Sequence, residues 1–147
     1  METAQIPEWI KERTAQSSRQ NSSRIEAEGL GFWADLIARL RVNVDGLGLL
    51  HARGSVTSFE NANTGEWSCR VNVFNELGSR GITYTDLFYR PGGKRIRSLT
   101  MEGESLTYSF WISPEGRFGV VPGDGFSLKT ESEVASSIVE AMVDRTV

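Results

Sequence analysis

Between Ser68 and Val121 apolar and polar residues alternate in short runs broken by turn residues, the period of two expected of strands with one buried face. Ser68–Phe74 sets Cys69, Val71 and Val73 against Arg70 and Asn72, and Ser105–Ile112 sets Leu106, Tyr108, Phe110 and Ile112 against Thr107, Ser109 and Trp111. Ile82–Arg90 divides into Ile82, Tyr84, Asp86 and Phe88 on one face and Thr83, Thr85, Leu87 and Tyr89 on the other. The first set is the more apolar and is read as facing inward with the aromatic face of Ser105–Ile112. Arg95–Met101 fits two phases, and a bulge near Ser98 would join Ile96 with Leu99 and Met101 on one side. Leu47–Phe59 reads as the strand region preceding these, with Gly54 as a bulge or break, and Arg117–Val121 as the last strand.

The punctuation fits reversals of direction. Glu60–Glu66 and Asn75–Gly81 are polar loops, Pro91-Gly92-Gly93-Lys94 and Glu102-Gly103-Glu104 are turns, and Ser113-Pro114-Glu115-Gly116 suits a hairpin. Before this meander the apolar period lengthens. Leu30, Trp33, Leu36, Ile37, Leu40 and Val44 recur every three or four residues, the stripe of a core helix, with a stop at Asp45-Gly46. Pro7 can open an earlier short helix through Ile6, Trp9 and Ile10, while residues 16–24 carry no apolar side chain and read as a linker or an exposed helix. After the meander, Thr130 and Glu133 stand in the capping-box relation, and a helix to about Val143 is expected with Val134, Ile138, Ala141 and Met142 buried and Val139 and Val143 flanking. The elements together predict one α+β domain over residues 1–147: an antiparallel meander of five to six strands, N-terminal helices, and a C-terminal helix packed on one face.

Composition narrows the function classes. The single cysteine, Cys69, excludes an intramolecular disulfide or a cysteine-rich metal site, and the single histidine, His51, leaves little for a hydrolytic triad or zinc. His51 is read as a core or edge residue and Cys69 as an inert buried thiol. Gly46-x-Gly48 follows a helix and opens none, and Gly92-Gly93-Lys94 lacks the spacing of a phosphate loop, so no cofactor or metal is expected. The absence of a leader-like N-terminus or a long apolar run leads to the expectation of a cytoplasmic protein that does not enter membranes. Net charge is −3, yet Arg70–Arg97 holds six basic residues against two acidic, an excess of four positive charges that leaves −7 on the remainder. That asymmetry can steer an anionic partner to the meander, although the total disfavours nucleic acid.

Two sets of residues stand out as candidate chemistry. Asp86 shares a strand phase with apolar residues, where burial would cost free energy unless it is paired, so an aromatic pocket of Tyr84, Asp86, Tyr108 and Phe110 could bind a small hydrophobic ligand or use Asp86 as an acid or base. The other strand face offers Leu87, Tyr89 and Trp111 with Arg95 and Arg97, aromatic anchors amid hydroxyls and arginines, as a protein-binding surface. Without a catalytic constellation the leading expectation is a non-enzymatic interaction module, such as a chaperone, inhibitor or adaptor, meeting a protein partner or a second copy of itself through the sheet.

Overall fold

The computed structural model describes residues 5–147, without the side chains of residues 17–20. A single helix, α1 (Glu8–Asp45), begins after Pro7, and a short 3-10 turn, Gly46–Leu50, leads into the sheet. Six strands follow: β1 (Ala52–Glu60), β2 (Trp67–Asn75), β3 (Ile82–Tyr89), β4 (Arg95–Thr100), β5 (Ser105–Ile112) and β6 (Phe118–Pro122). Each pairs antiparallel with its sequence neighbour, giving the order β1-β2-β3-β4-β5-β6, and helix α2 (Glu131–Thr146) closes the chain. The architecture is the α+β meander expected, with the two N-terminal helical segments fused into one.

The polar run at 16–24 is therefore helical in its backbone, continuous with the packed core segment. The side chains that set α1 against the sheet are Phe32, Trp33, Leu36, Ile37, Leu40 and Val44, all buried. Leu30, expected in the stripe, is exposed, and Phe32 takes its place by packing edge-on against Phe110 and Phe118. Gly29 lets the helix lie close on the sheet, since a Cβ there would sit 3.0 Å from the Tyr89 hydroxyl, a tight contact that Tyr89 would have to yield to. Before it, the first turns of α1 stand clear, with Trp9 60% exposed.

Helix α2 starts on both halves of the capping box: Glu133 N–H donates to Thr130 Oγ1 (3.2 Å) and Thr130 N–H donates to Glu133 Oε1 (3.2 Å). Its buried face is Val134, Ala135, Ile138, Val139 and Met142, whereas Ala141 points outward. Both helices cover the same face of the sheet, α1 chiefly over β1 and α2 over β2 and β3. The covered face carries Cys69, Val71 and Val73 from β2, Leu87 and Tyr89 from β3, Ile96 and Ser98 from β4, and Tyr108 and Phe110 from β5. Tyr89 is its aromatic centre, stacked on Trp33 at 5.5 Å and met edge-on by Trp67 and Phe110.

Two local expectations are corrected, and the choice left open in Arg95–Met101 is decided for the phase of Ile96 and Ser98. Gly54 sits in unbroken register opposite Val73, so β1 has no bulge there. β4 is likewise regular, with Ile96 and Ser98 inward and Arg95, Arg97 and Leu99 outward. The phase of β3 is the reverse of the one inferred. The ladder with β2 places Leu87 opposite Cys69 and Thr85 opposite Val71, which turns Thr83, Thr85, Leu87 and Tyr89 toward the helices and Ile82, Tyr84, Asp86 and Phe88 away from them. A strand has only two phases, so fixing one pair moves every side chain of the set.

Candidate functional site

The helices leave the other face of the sheet uncovered, and arginines lie across its aromatic residues. Arg53 lies over Phe74 (5.2 Å), Arg70 over Tyr84 (4.1 Å) and Arg97 over Phe88 (5.0 Å), each guanidinium shielding a ring that the phase of its strand turns outward. Arg53 and Phe74 are direct cross-strand partners, as are Arg97 and Phe88. Arg70 also holds Asp86 in a bidentate pair, Nε donating to Oδ1 at 2.7 Å and Nη2 to Oδ2 at 2.9 Å. Asp86 thus sits in a surface ion pair, and the structural account of this carboxylate needs no pocket.

At the β3–β4 end this face deepens into an open depression of about 1040 Å³. Its position follows from the turn: Gly92 takes φ of 82°, Gly93 N–H donates to the Arg90 carbonyl (2.7 Å), and the reversal sets Arg90 and Lys94 beside Arg95. Arg97 completes the basic wall, while Phe88 and Trp111 supply the apolar surface and Thr107 and Ser109 the hydroxyls. Trp111 is 56% exposed. Among the described residues, Arg90, Lys94, Arg95 and Arg97 make no ion pair within 4.0 Å, in contrast to Arg53, Arg70 and Arg145. Glu66 also lines the depression but makes no ion pair within 4.0 Å with these cations, so the four, around a flat indole, can accept an anionic group and an apolar group at once.

The residues singled out from sequence are redistributed by this geometry. Arg95, Arg97 and Trp111 line the depression together, but Leu87 and Tyr89, placed with them, are buried beneath the helices at 0% and 1% exposure. Tyr84 and Asp86 face outward while Tyr108 and Phe110 face inward, so the four do not meet in one pocket. Phe88 joins the site only once the phase of β3 is corrected. Its detectable signal was Asp86: a carboxylate in that phase opposite Arg70 marks the solvent side.

Neither reactive side chain is placed for catalysis. His51 is exposed rather than in the core, in a left-handed conformation (φ 55°) at the end of the 3-10 turn. Cys69 lies opposite Ser58, whereas the His51 carbonyl accepts from Glu76 N–H at the far end of β2, so the two cannot act together. Burial pushes the Cys69 thiol up to about 12, as befits an inert core residue. Among the described residues no group of three or more histidine, cysteine or acidic side chains could hold a metal ion, and no helix is long and apolar enough to cross a membrane. Comparison with protein-family models, with curated proteins and with solved structures found no match for this chain.

Proposed function

We propose that this protein is a non-enzymatic interaction module that binds an acidic segment of a partner protein on the uncovered sheet face, at the depression beside the β3–β4 turn. The observation that carries this reading is the set of four cations, Arg90, Lys94, Arg95 and Arg97, which make no ion pair within 4.0 Å among the described residues, around exposed Trp111. Trp and Arg are the side chains that most often dominate binding energy at protein interfaces, and here they are neighbours. The partner's carboxylates meet the arginines and its apolar side chains meet Phe88 and Trp111. A protein segment suits the charge distribution better than a nucleic acid, because the −7 carried by the rest of the chain repels a uniformly charged polyanion while a short acidic run touches only the basic patch.

The test is a fluorescence-anisotropy titration with a labelled peptide of alternating glutamate and phenylalanine, run beside an oligothymidylate of equal charge. Binding of the peptide should weaken as salt rises and should be abolished by Arg95→Glu/Arg97→Glu and reduced roughly tenfold or more by Trp111→Ser. Equal binding by the charge-reversal variant, or preference for the oligonucleotide, overturns the reading.

A further inference from the structure

The two edges of the sheet are treated differently by the chain. The β6 edge is bridged at its middle residue, where Lys129 pairs with Val120 through N–H···O bonds of 2.7 and 3.0 Å. Among the described residues nothing pairs with the outer edge of β1, a nine-residue strand exposed over most of its length. An edge that long, without lysine or proline, is a template for another strand.

Its hydrogen-bonding parity is readable. Asn61 N–H donates to the Glu66 carbonyl and Glu76 N–H to the His51 carbonyl, so on either side of β1 the odd-numbered residues turn their polar groups toward β2. By alternation Arg53, Ser55, Thr57 and Phe59 do the same, in register with Phe74, Asn72, Arg70 and Ser68. Ala52, Gly54, Val56, Ser58 and Glu60 therefore aim their N–H and C=O groups, Val56 at the centre, into the free edge.

We infer that β1 is a homodimer interface, with two copies of the strand running antiparallel about a two-fold axis at Val56 to continue the sheet across the pair. The sequence of β1 is close to a palindrome of size about that residue: Gly54 would face Ser58 and Ser55 would face Thr57 of the second copy. The unlike pair is complementary. Arg53 would lie opposite Phe59 of the second copy on the uncovered face, repeating the cross-strand stacking seen at Arg53/Phe74 and Arg97/Phe88, and it would give a partner to Phe59, which is 62% exposed. Charge agrees with this direction, because an in-register parallel copy would set Arg53 beside Arg53 and Glu60 beside Glu60 of the second copy, whereas the antiparallel copy separates the like charges to opposite ends. The free half of α1 does not obstruct this edge, since Val44 is the residue over Gly54 and Arg24 already lies beside Gly116 in the β5–β6 turn.

Light scattering and sedimentation of the full chain over a dilution series test the inference. The expected species is twice the 16.3 kDa chain mass, with exchange of the Gly54, Val56 and Ser58 amides slowing as concentration rises. Ser58→Pro removes an N–H that faces the free edge, and by symmetry removes it twice, so it should weaken dimerisation by at least about tenfold while leaving the circular dichroism spectrum unchanged. Thr57→Pro, whose lost N–H is bonded to β2, should instead damage the monomer. A chain monomeric up to about 200 μM, too weak for a specific interface, overturns the inference. So does a dimer that survives in folded Ser58→Pro, or exchange at those three amides that ignores concentration.

Discussion

Asp86 and Leu87 are neighbours in β3 and live in different solvents. Leu87 is fully buried between β2, β4 and the helices, while Asp86 lies on the uncovered face in its pair with Arg70, the carboxylate side chain 17% and the arginine 51% exposed. One face gains stability by excluding water from apolar groups; the other stays in water and covers its rings with guanidinium groups that remain available for exchange. The lesson is that aromatic content does not identify the core of this sheet. Tyr84 and Phe88 are aromatic and outward, and Thr83 and Thr85 are polar and buried.

The sharpest test of the contrast is a pair of alanine substitutions. Leu87→Ala should cost about 2–5 kcal/mol in urea unfolding, because nothing nearby can fill the space of a fully buried leucine. Asp86→Ala should cost about 1 kcal/mol or less, since Arg70 remains solvated and stacked on Tyr84. Similar values for the two would break the distinction between the faces.

Within the covered face, two threonines offer a smaller contrast. Thr85 Oγ1 accepts a hydrogen bond from Arg145 Nη2 (3.1 Å), whereas the buried Thr83 hydroxyl has no partner among the described residues. Thr83→Val should therefore raise stability by about 1 kcal/mol, and Thr85→Val should be neutral or destabilising, because it orphans a donor of Arg145.

The least energetic probe is chemical. With its thiol pushed up to about 12 by burial, Cys69 binds its proton more tightly folded than unfolded, a contribution to stability that is complete below the unfolded thiol's range and is lost as pH rises toward 12. At pH 8 it should react with a disulfide reagent only at the rate of unfolding. A cysteine placed at Ser68, one residue away on the other face, should react immediately.

Much of the fold was legible in the chain. Alternation in β2 and β5 gave the correct faces, the Pro91–Lys94 and Ser113–Gly116 turns fall where proline and glycine placed them, and the Thr130/Glu133 cap is formed by both of its bonds. What escaped were choices made between elements. Nothing within Ile82–Tyr89 says that an arginine on β2 will lie over Tyr84 or that one on β4 will lie over Phe88, so its more apolar phase looked like the buried one. The polar stretch of α1 escaped for a related reason: its helicity is continued from the packed segment at Phe32–Val44, not encoded by apolar spacing of its own. The lining of the candidate depression was half visible, since Arg95, Arg97 and Trp111 were grouped together, while Leu87 and Tyr89 had to be exchanged for Phe88 once the register was known.

The placement of the tryptophans gives the molecule an optical consequence. Trp33 is buried on the covered face with Trp67 partly buried at its margin, Trp111 lies in the depression, and Trp9 lies on the free part of α1. Emission from the folded protein is accordingly a sum of shielded and solvated indoles. The solvated share is quenched by a collisional agent such as iodide and the shielded share is spared, so each face of the sheet carries a native fluorophore that reports on its own surroundings.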